Sequence, residues 1–216
     1  MILIHHRRNS VAELDATSVE WGVEIDLRNH GDEILVTHDP FVTEAVKLET
    51  WLDHYRHRFL IANVKEEGME PRLLRLLAER DITDFFILDE SFPFIRKHAL
   101  AGIPNFAVRV SEYESAETAL NLARLLREAE RSVDWIWADS FTGAPLPESD
   151  NRALKQADYR ICVVSPELHH VPEPSSWQWR IEAFVAQLKE QDPAVGRPDM
   201  VCTKLPELWA EAMRAG

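Results

Sequence analysis

A compact (β/α)₈ barrel in a single domain is the fold the sequence predicts, and three observations predict it. Eight short apolar, β-branched runs recur along the chain: "ILIH", "VEIDL", "FLIANVK", "DFFIL", "FAVRV", "DWIWAD", "RICVV" and "DMVCT". Helix-favouring segments separate them, and strand followed by helix, eight times, argues for parallel strands joined by right-handed crossovers. The 216 residues are enough for one domain with a full core and lie near the lower end of the size range for such barrels. An open doubly wound sheet is the competitor. It usually carries a Gly-rich phosphate loop after its first strand, and this chain has seven Gly and no such loop.

The elements follow in order. "ILIH" opens the first strand and ends in His5, His6, Arg7, Arg8 and Asn9. "VAELDATSVEW" is expected to be the first helix. "VEIDL" is the second strand, extended through the "NHGDE" turn to "LVTHDP". "FLIANVK" is the third, followed by the helix "EPRLLRLLAER". In "SAETALNLARLLREAER", Ala119, Leu122, Ala123, Leu126 and Ala129 lie at i, i+3, i+4 spacing, which predicts an amphipathic helix. "VPEPSSW" reads as a Pro-rich loop after the seventh strand, and "ELWAEAM" as the closing helix.

Composition narrows the function. Twenty-four basic against 37 acidic residues leave a formal charge of −13, which repels nucleic acid and anionic membrane. A small anionic ligand then needs a metal or a local knot of Arg and Lys. Cys162 and Cys202 both sit in apolar runs and read as inert core thiols. With no disulfide framework, membrane span or signal peptide in the sequence, a cytoplasmic protein without stable membrane association is expected.

The second strand carries the chemistry. Side chains alternate across a strand, so Glu24 and Asp26 share one face while Val23, Ile25 and Leu27 share the other. On an antiparallel sheet this is a half-wet face. In a parallel barrel both faces are covered, and two adjacent carboxylates near the axis repel unless a cation holds them, with hard oxygen donors suiting Mg²⁺ or Ca²⁺. Further polar groups end other strands: His38 and Asp39, Asn63 and Lys65 two apart, Arg109, and Trp135, Trp137 and Asp139 in one parity. Active sites of barrels form at these C-terminal ends. Each group also has an ordinary role open to it: a structural histidine, a solvated lysine, Arg109 paired with Glu112 or Glu114, or tryptophans in the core. His30, His54, His57, His98, His169 and His170 lie mostly in helices or loops and receive no role.

A His-Arg ending the first strand, an E-x-D on the second, a His-Asp a dozen residues later and an x-Lys pair on the third together resemble the glycerophosphodiester phosphodiesterases. These are barrels related to phosphatidylinositol-specific phospholipase C. "FILDESFPFI", "FAVRVSEYE" and "DMVCTKLPEL" agree more loosely, the last where the family often has Thr-Asp-x-Pro. The resemblance implies hydrolysis of a small phosphodiester. In it, His6 and His38 form the acid–base pair, and Glu24, Asp26 and Asn63 hold a divalent cation, Mg²⁺ or Ca²⁺. Arg7 and Lys65 contact the phosphate, Arg109 is a further substrate contact, and Trp137 (or Trp135) is available to stack on a sugar or lipid group.

Three departures qualify it. His-Arg-Gly reads "HRR", so Arg8 stands where a permissive backbone is often needed. Asn63 replaces a carboxylate, with Glu66 or Glu67 as compensating candidates. Only 23 residues separate Asp39 from Asn63, which leaves no room for the insertion that reads glycerol. A barrel that binds a phosphorylated ligand without cleaving it, and a phospholipase C-like enzyme acting on lipid, remain the alternatives.

Overall fold

The structure, a computed structural model, describes residues 1–169 and 173–214. In chain order its elements are β1 (Ile2–His5), α1 (Val11–Asp15), β2 (Gly22–His30), β3 (Glu33–Val36), α2 (Leu48–His54), β4 (Leu60–Val64), α3 (Glu70–Ala78), β5 (Phe85–Leu88), α4 (Phe92–Leu100), β6 (Ala107–Val110), α5 (Ala116–Glu128), β7 (Trp135–Ala138), α6 (Glu148–Gln156), β8 (Arg160–Val164), α7 (Trp177–Glu190), α8 (Pro193–Gly196), β9 (Met200–Thr203) and α9 (Pro206–Arg214). The strands pair in the order β5-β4-β2-β1-β9-β8-β7-β6. All of these pairings are parallel, and an isolated parallel bridge from Ile87 to Phe106 brings β5 back to the start of β6. The result is the expected eight-stranded parallel barrel, closed everywhere by full ladders except at that seam. β3 lies outside it as an antiparallel hairpin partner of β2, with Leu27 opposite Val36 and His30 opposite Glu33.

Strand parity sorts the core into two bodies. Val23, Ile25 and Leu27 of β2 and their counterparts on the other strands face the helices. Ile4, Phe59, Ile61, Phe86, Trp135, Trp137, Cys162, Met200 and Cys202 fill the barrel interior. The small Cys and Ala107 side chains make room for the two indoles, so both thiols are packing groups, and burial pushes their pKa values well above the ordinary thiol value. Gly22 opens β2 where a Cβ would lie 2.3 Å from Ile4 Cδ1 and 2.7 Å from the Phe59 carbonyl oxygen, so only glycine fits.

The first helix is shorter than expected. Ser10 and Glu13 form a reciprocal capping box, with the Glu13 amide donating to Ser10 Oγ and the Ser10 amide to Glu13 Oε2, but the turn ends at Asp15. The helices expected over "EPRLLRLLAER", "SAETALNLARLLREAER" and "ELWAEAM" form as α3, α5 and α9. Within "VPEPSSW", Val171 and Pro172 lie outside the described residues, as does His170; Pro174–Ser176 form a 3₁₀ turn leading into α7. Among the described residues, no helix is long and apolar enough to cross a membrane.

Candidate active site

The barrel interior turns polar at the C-terminal ends of its strands. On β1 the inward parity of Ile2 and Ile4 continues to His6, while His5 packs edge-on against Trp21. On β2 it selects Glu24 and Asp26, both buried. On β4 it runs through Ile61 to Asn63 and on to Lys65 just beyond the strand. Cross-strand register sets Asp26 beside Asn63. These side chains form one connected network. Arg7 donates its backbone amide to Glu24 Oε2 at 2.8 Å and sets its guanidinium Nε 3.1 Å from Asp26 Oδ2 as an ion pair. Asn63 donates to Glu24 Oε1 at 3.0 Å and accepts the Lys65 ammonium on Oδ1 at 2.6 Å. Lys65 Nζ also lies 3.1 Å from Asp26 Oδ1 and 3.4 Å from Asp89 Oδ2. His6 Nε2 stands 3.7 Å from Glu24 Oε2.

Arg7 reaches both carboxylates because its backbone turns left-handed, with φ of 56°. The special conformation expected at Arg8 therefore sits one residue earlier. Arg8 instead continues pairing, donating its amide to the Glu24 carbonyl while its own carbonyl accepts from Trp51 Nε1. Asn9 binds Asp26 twice, Nδ2 to Oδ2 and Oδ1 from the Asp26 amide, a positioning role that no motif signalled.

The network sets the protonation states. Burial, then the charge of Asp26, pushes Glu24 up to about 7. Burial acts the same way on Asp26, but Lys65, Asn9 and Arg7 outweigh it and hold that carboxyl below the usual range. Burial, then Arg7, brings His6 down to about 3, so its imidazole is neutral at pH 7.

Across the mouth stands a second group. Arg109 binds Asp89 and Asp139 through its two terminal nitrogens, with Nε 3.8 Å from Glu114 Oε2. Asp89 and Asp139 raise its pKa against the opposing effect of burial. Asp139 also takes His169 Nε2, whose ring packs 4.7 Å from that of Phe141. His169 has no sequence signal: it follows a 3₁₀ turn after β8, and only the fold brings it beside Asp139.

Other expected residues lie elsewhere. His38 sits on the rim, exposed, with Nδ1 2.9 Å from Asp39 Oδ1 and its carbonyl accepting from Arg28. The Thr37 amide bonded to the Asp26 carbonyl keeps it near the mouth, but its ring is not hydrogen-bonded to the His6 network. Trp137 corrects an expectation. It is inward, as its parity predicts, but it lies one layer below Asp139, buried against Phe86, and presents no face for a substrate to stack on. Glu66 is taken up by its pair with Arg28, while Glu67 is exposed and its backbone carbonyl accepts from Asn29.

As folded, this donor set does not fit a resident divalent cation. Both Glu24 oxygens accept from N–H groups, Asp26 Oδ2 accepts from Asn9 and faces Arg7, and Asp26 Oδ1 faces the Lys65 ammonium. Asn63 Oδ1 is likewise taken by Lys65. Among the described residues, no group of three His, Cys, Asp or Glu side chains that could hold a metal gathers. The Lys65 ammonium itself occupies the oxygen cage formed by Asn63, Asp26 and Asp89. The expectation of Mg²⁺ or Ca²⁺ on Glu24, Asp26 and Asn63 thus meets a site already filled by a fixed cation.

No family model and no curated protein sequence matches this chain. Solved structures do. The chain aligns with a glycerophosphodiester phosphodiesterase from Agrobacterium tumefaciens at a TM-score of 0.65 and 15% identity, covering 100% of both chains. The chain has the barrel fold of the glycerophosphodiester phosphodiesterases. A glycerophosphoryl diester phosphodiesterase from Parabacteroides distasonis gives the same TM-score at 13% identity, over 99% of this chain and 86% of the other. Within that fold, the stretch between β3 and β4, where the resemblance expects an insertion, holds only the seven-residue α2.

Proposed function

We propose that this barrel hydrolyses a small, glycerophosphodiester-like phosphodiester at the mouth formed by β1, β2 and β4. The observation that carries the reading is the single network of His6, Arg7, Glu24, Asp26 and Lys65, placed at the strand ends where barrels do chemistry. Arg7 and Lys65 are the groups positioned to meet the non-bridging phosphate oxygens and neutralise charge as it builds there. Arg109, tied to Asp89 and Asp139, is the further substrate contact on the far rim. His6 is neutral, and an arriving phosphodiester anion raises its proton affinity, so it acts as base toward the attacking hydroxyl or water. Glu24, beside it, steadies the resulting imidazolium. His38 directs Nδ1 to Asp39, which leaves Nε2 to protonate the leaving alkoxide from the rim.

The test is hydrolysis of glycerophosphocholine and of bis(p-nitrophenyl) phosphate by wild type, His6→Ala and His38→Ala, with and without chelator. Each substitution is expected to lower kcat by about 10²-fold or more with the circular dichroism spectrum unchanged. Near-wild-type turnover in either variant removes that histidine from the mechanism.

One observation favours a second reading, a barrel that binds a phosphorylated ligand without cleaving it. A neutral Asn63 stands in the network where a third acid is expected. Saturable phosphate-ester binding with no turnover of any diester, metal added or not, would establish it.

A further inference from the structure

Beside His6, on the β1–β9 side of the mouth, opens a cavity of about 350 Å³. Its walls carry three cations, Arg7, Arg8 and Lys204, and one carboxylate, Glu13. Two of these groups already have side-chain or backbone partners. Arg7 is paired with Asp26, and Glu13 Oε2 accepts from both the amide and the hydroxyl of Ser10. Arg8 and Lys204 have no carboxylate partner among the described residues. Among the described residues, Arg8 engages Nε alone, on the His6 carbonyl at 3.2 Å, which leaves both terminal nitrogens to face the cavity. The Lys204 ammonium lies 4.8 Å from the centroid of the Trp177 ring. Burial lowers the Arg8 pKa despite the charges of Glu13 and Glu24.

Glu13 and Glu24 act on Arg8 only from a distance; half-buried cations with no direct carboxylate contact are costly, and in a chain of net charge −13 two of them facing one cavity call for an anion. The backbone that carries each is fixed. The Arg8 backbone is bonded on either side, to the Glu24 carbonyl and by the Trp51 indole, and the Lys204 amide donates to buried Glu167 at 2.9 Å. Such preorganisation lowers the cost of binding. A guanidinium fork opposite a point-charge ammonium matches a phosphate dianion better than a carboxylate.

We infer that Arg8 and Lys204 bind a terminal phosphate carried by the substrate, so that the preferred phosphodiester bears a phosphomonoester on one of its alcohols. The inference rests on the hydrolase reading for its substrate, but its binding half can be measured without turnover. The probes are glycerophosphoinositol and glycerophosphoinositol 4-phosphate, which differ by one phosphate. They are titrated calorimetrically into His6→Ala, which loses a neutral ring and leaves the cavity's charge as it is, and assayed kinetically with wild type.

The phosphorylated probe is expected to bind at least tenfold tighter and to show a KM at least tenfold lower. In the R8Q/K204Q double variant, and more weakly in K204Q alone, that preference should shrink toward unity while the thermal transition is kept. Equal binding of the two probes, or a preference that survives the double variant, overturns the inference and leaves the hydrolase reading intact. A binding preference without turnover of either probe supports the subsite and overturns the hydrolase reading instead.

Discussion

Asn63 donates to Glu24 and accepts from Lys65, so one neutral amide links the two carboxylates of β2 to the ammonium that faces them. Replacing it with Asp puts a third negative oxygen pair into the cage. For wild type, Mg²⁺ or Ca²⁺ should shift thermal unfolding by less than about a degree. For Asn63→Asp, ligand at ~100 times its Kd adds about 2.7 kcal/mol, roughly 5–10 °C for a chain of this size. A wild-type shift of that size, lost in Asp26→Asn, would instead place a metal on β2 as the resemblance expects. The sequence made this neighbourhood legible because strand parity is a two-residue rule: it puts Glu24 with Asp26 and Asn63 with Lys65 on single faces, and the structure extends it to His6 over His5. Parity does not report depth. It gave Trp137 the same face as Asp139 but could not say that the indole lies a layer lower, against Phe86. Nor could it find His169, which reaches Asp139 from a loop.

At the scale of elements, eight strands were legible because a parallel strand covered on both faces reads as a short, nearly unbroken apolar run. Helix lengths were less so. The capping box at Ser10 marks where α1 starts, yet nothing in "ATSVEW" says that the helix stops after five residues. Gly22 shows a constraint that composition hides. It pairs with Ile4 of β1 and packs against Phe59 just before β4, and Gly22→Ala drives a methyl into Ile4 and into the Phe59 carbonyl. Ile4 can rotate away, but the carbonyl belongs to backbone that pairs with Val23. The expected cost is about 1–3 kcal/mol, read as a Tm several degrees lower; an unchanged Tm would show that the β2–β4 ladder yields there.

Over the whole molecule, the buried ionisable groups give stability a specific dependence on pH. Glu24 and Glu90 rise from the ordinary 4.5 to about 7 and about 8, chiefly by burial. The folded state therefore holds their protons where the unfolded state has released them, and the two groups lower stability progressively as pH rises through that interval. His5 and His6 fall from 6.5 to about 4 and about 3, again chiefly by burial, and lower stability as pH falls below 6.5. Between about 4.5 and 6.5 the two effects oppose each other, so urea unfolding should show a plateau there. Stability should drop by about 2 kcal/mol toward pH 8 as the carboxyl effect acts alone, at about 1.4 kcal/mol per proton per pH unit. Glu90→Gln should remove most of that alkaline fall and Glu24→Gln a smaller part of it; a stability that rises from pH 6.5 to 8 would contradict the assignment.

The seam between β5 and β6 carries a consequence of another kind. Every other neighbouring pair of barrel strands shares a ladder, whereas the backbones of these two meet at the isolated bridge of Ile87 and Phe106, helped by the side-chain bonds of Asn105 to the Phe85 carbonyl and Arg109 to Asp89. A ring with one weak link behaves mechanically as a curled ribbon whose free edges are latched together. Thermal opening begins at the latch, so its amides should be the first in the barrel to trade their protons with solvent. The Glu24 network runs from β1 and β2, toward the middle of the ribbon, out to β4, one strand in from the latch, so breathing there should reach Lys65 before it reaches Glu24.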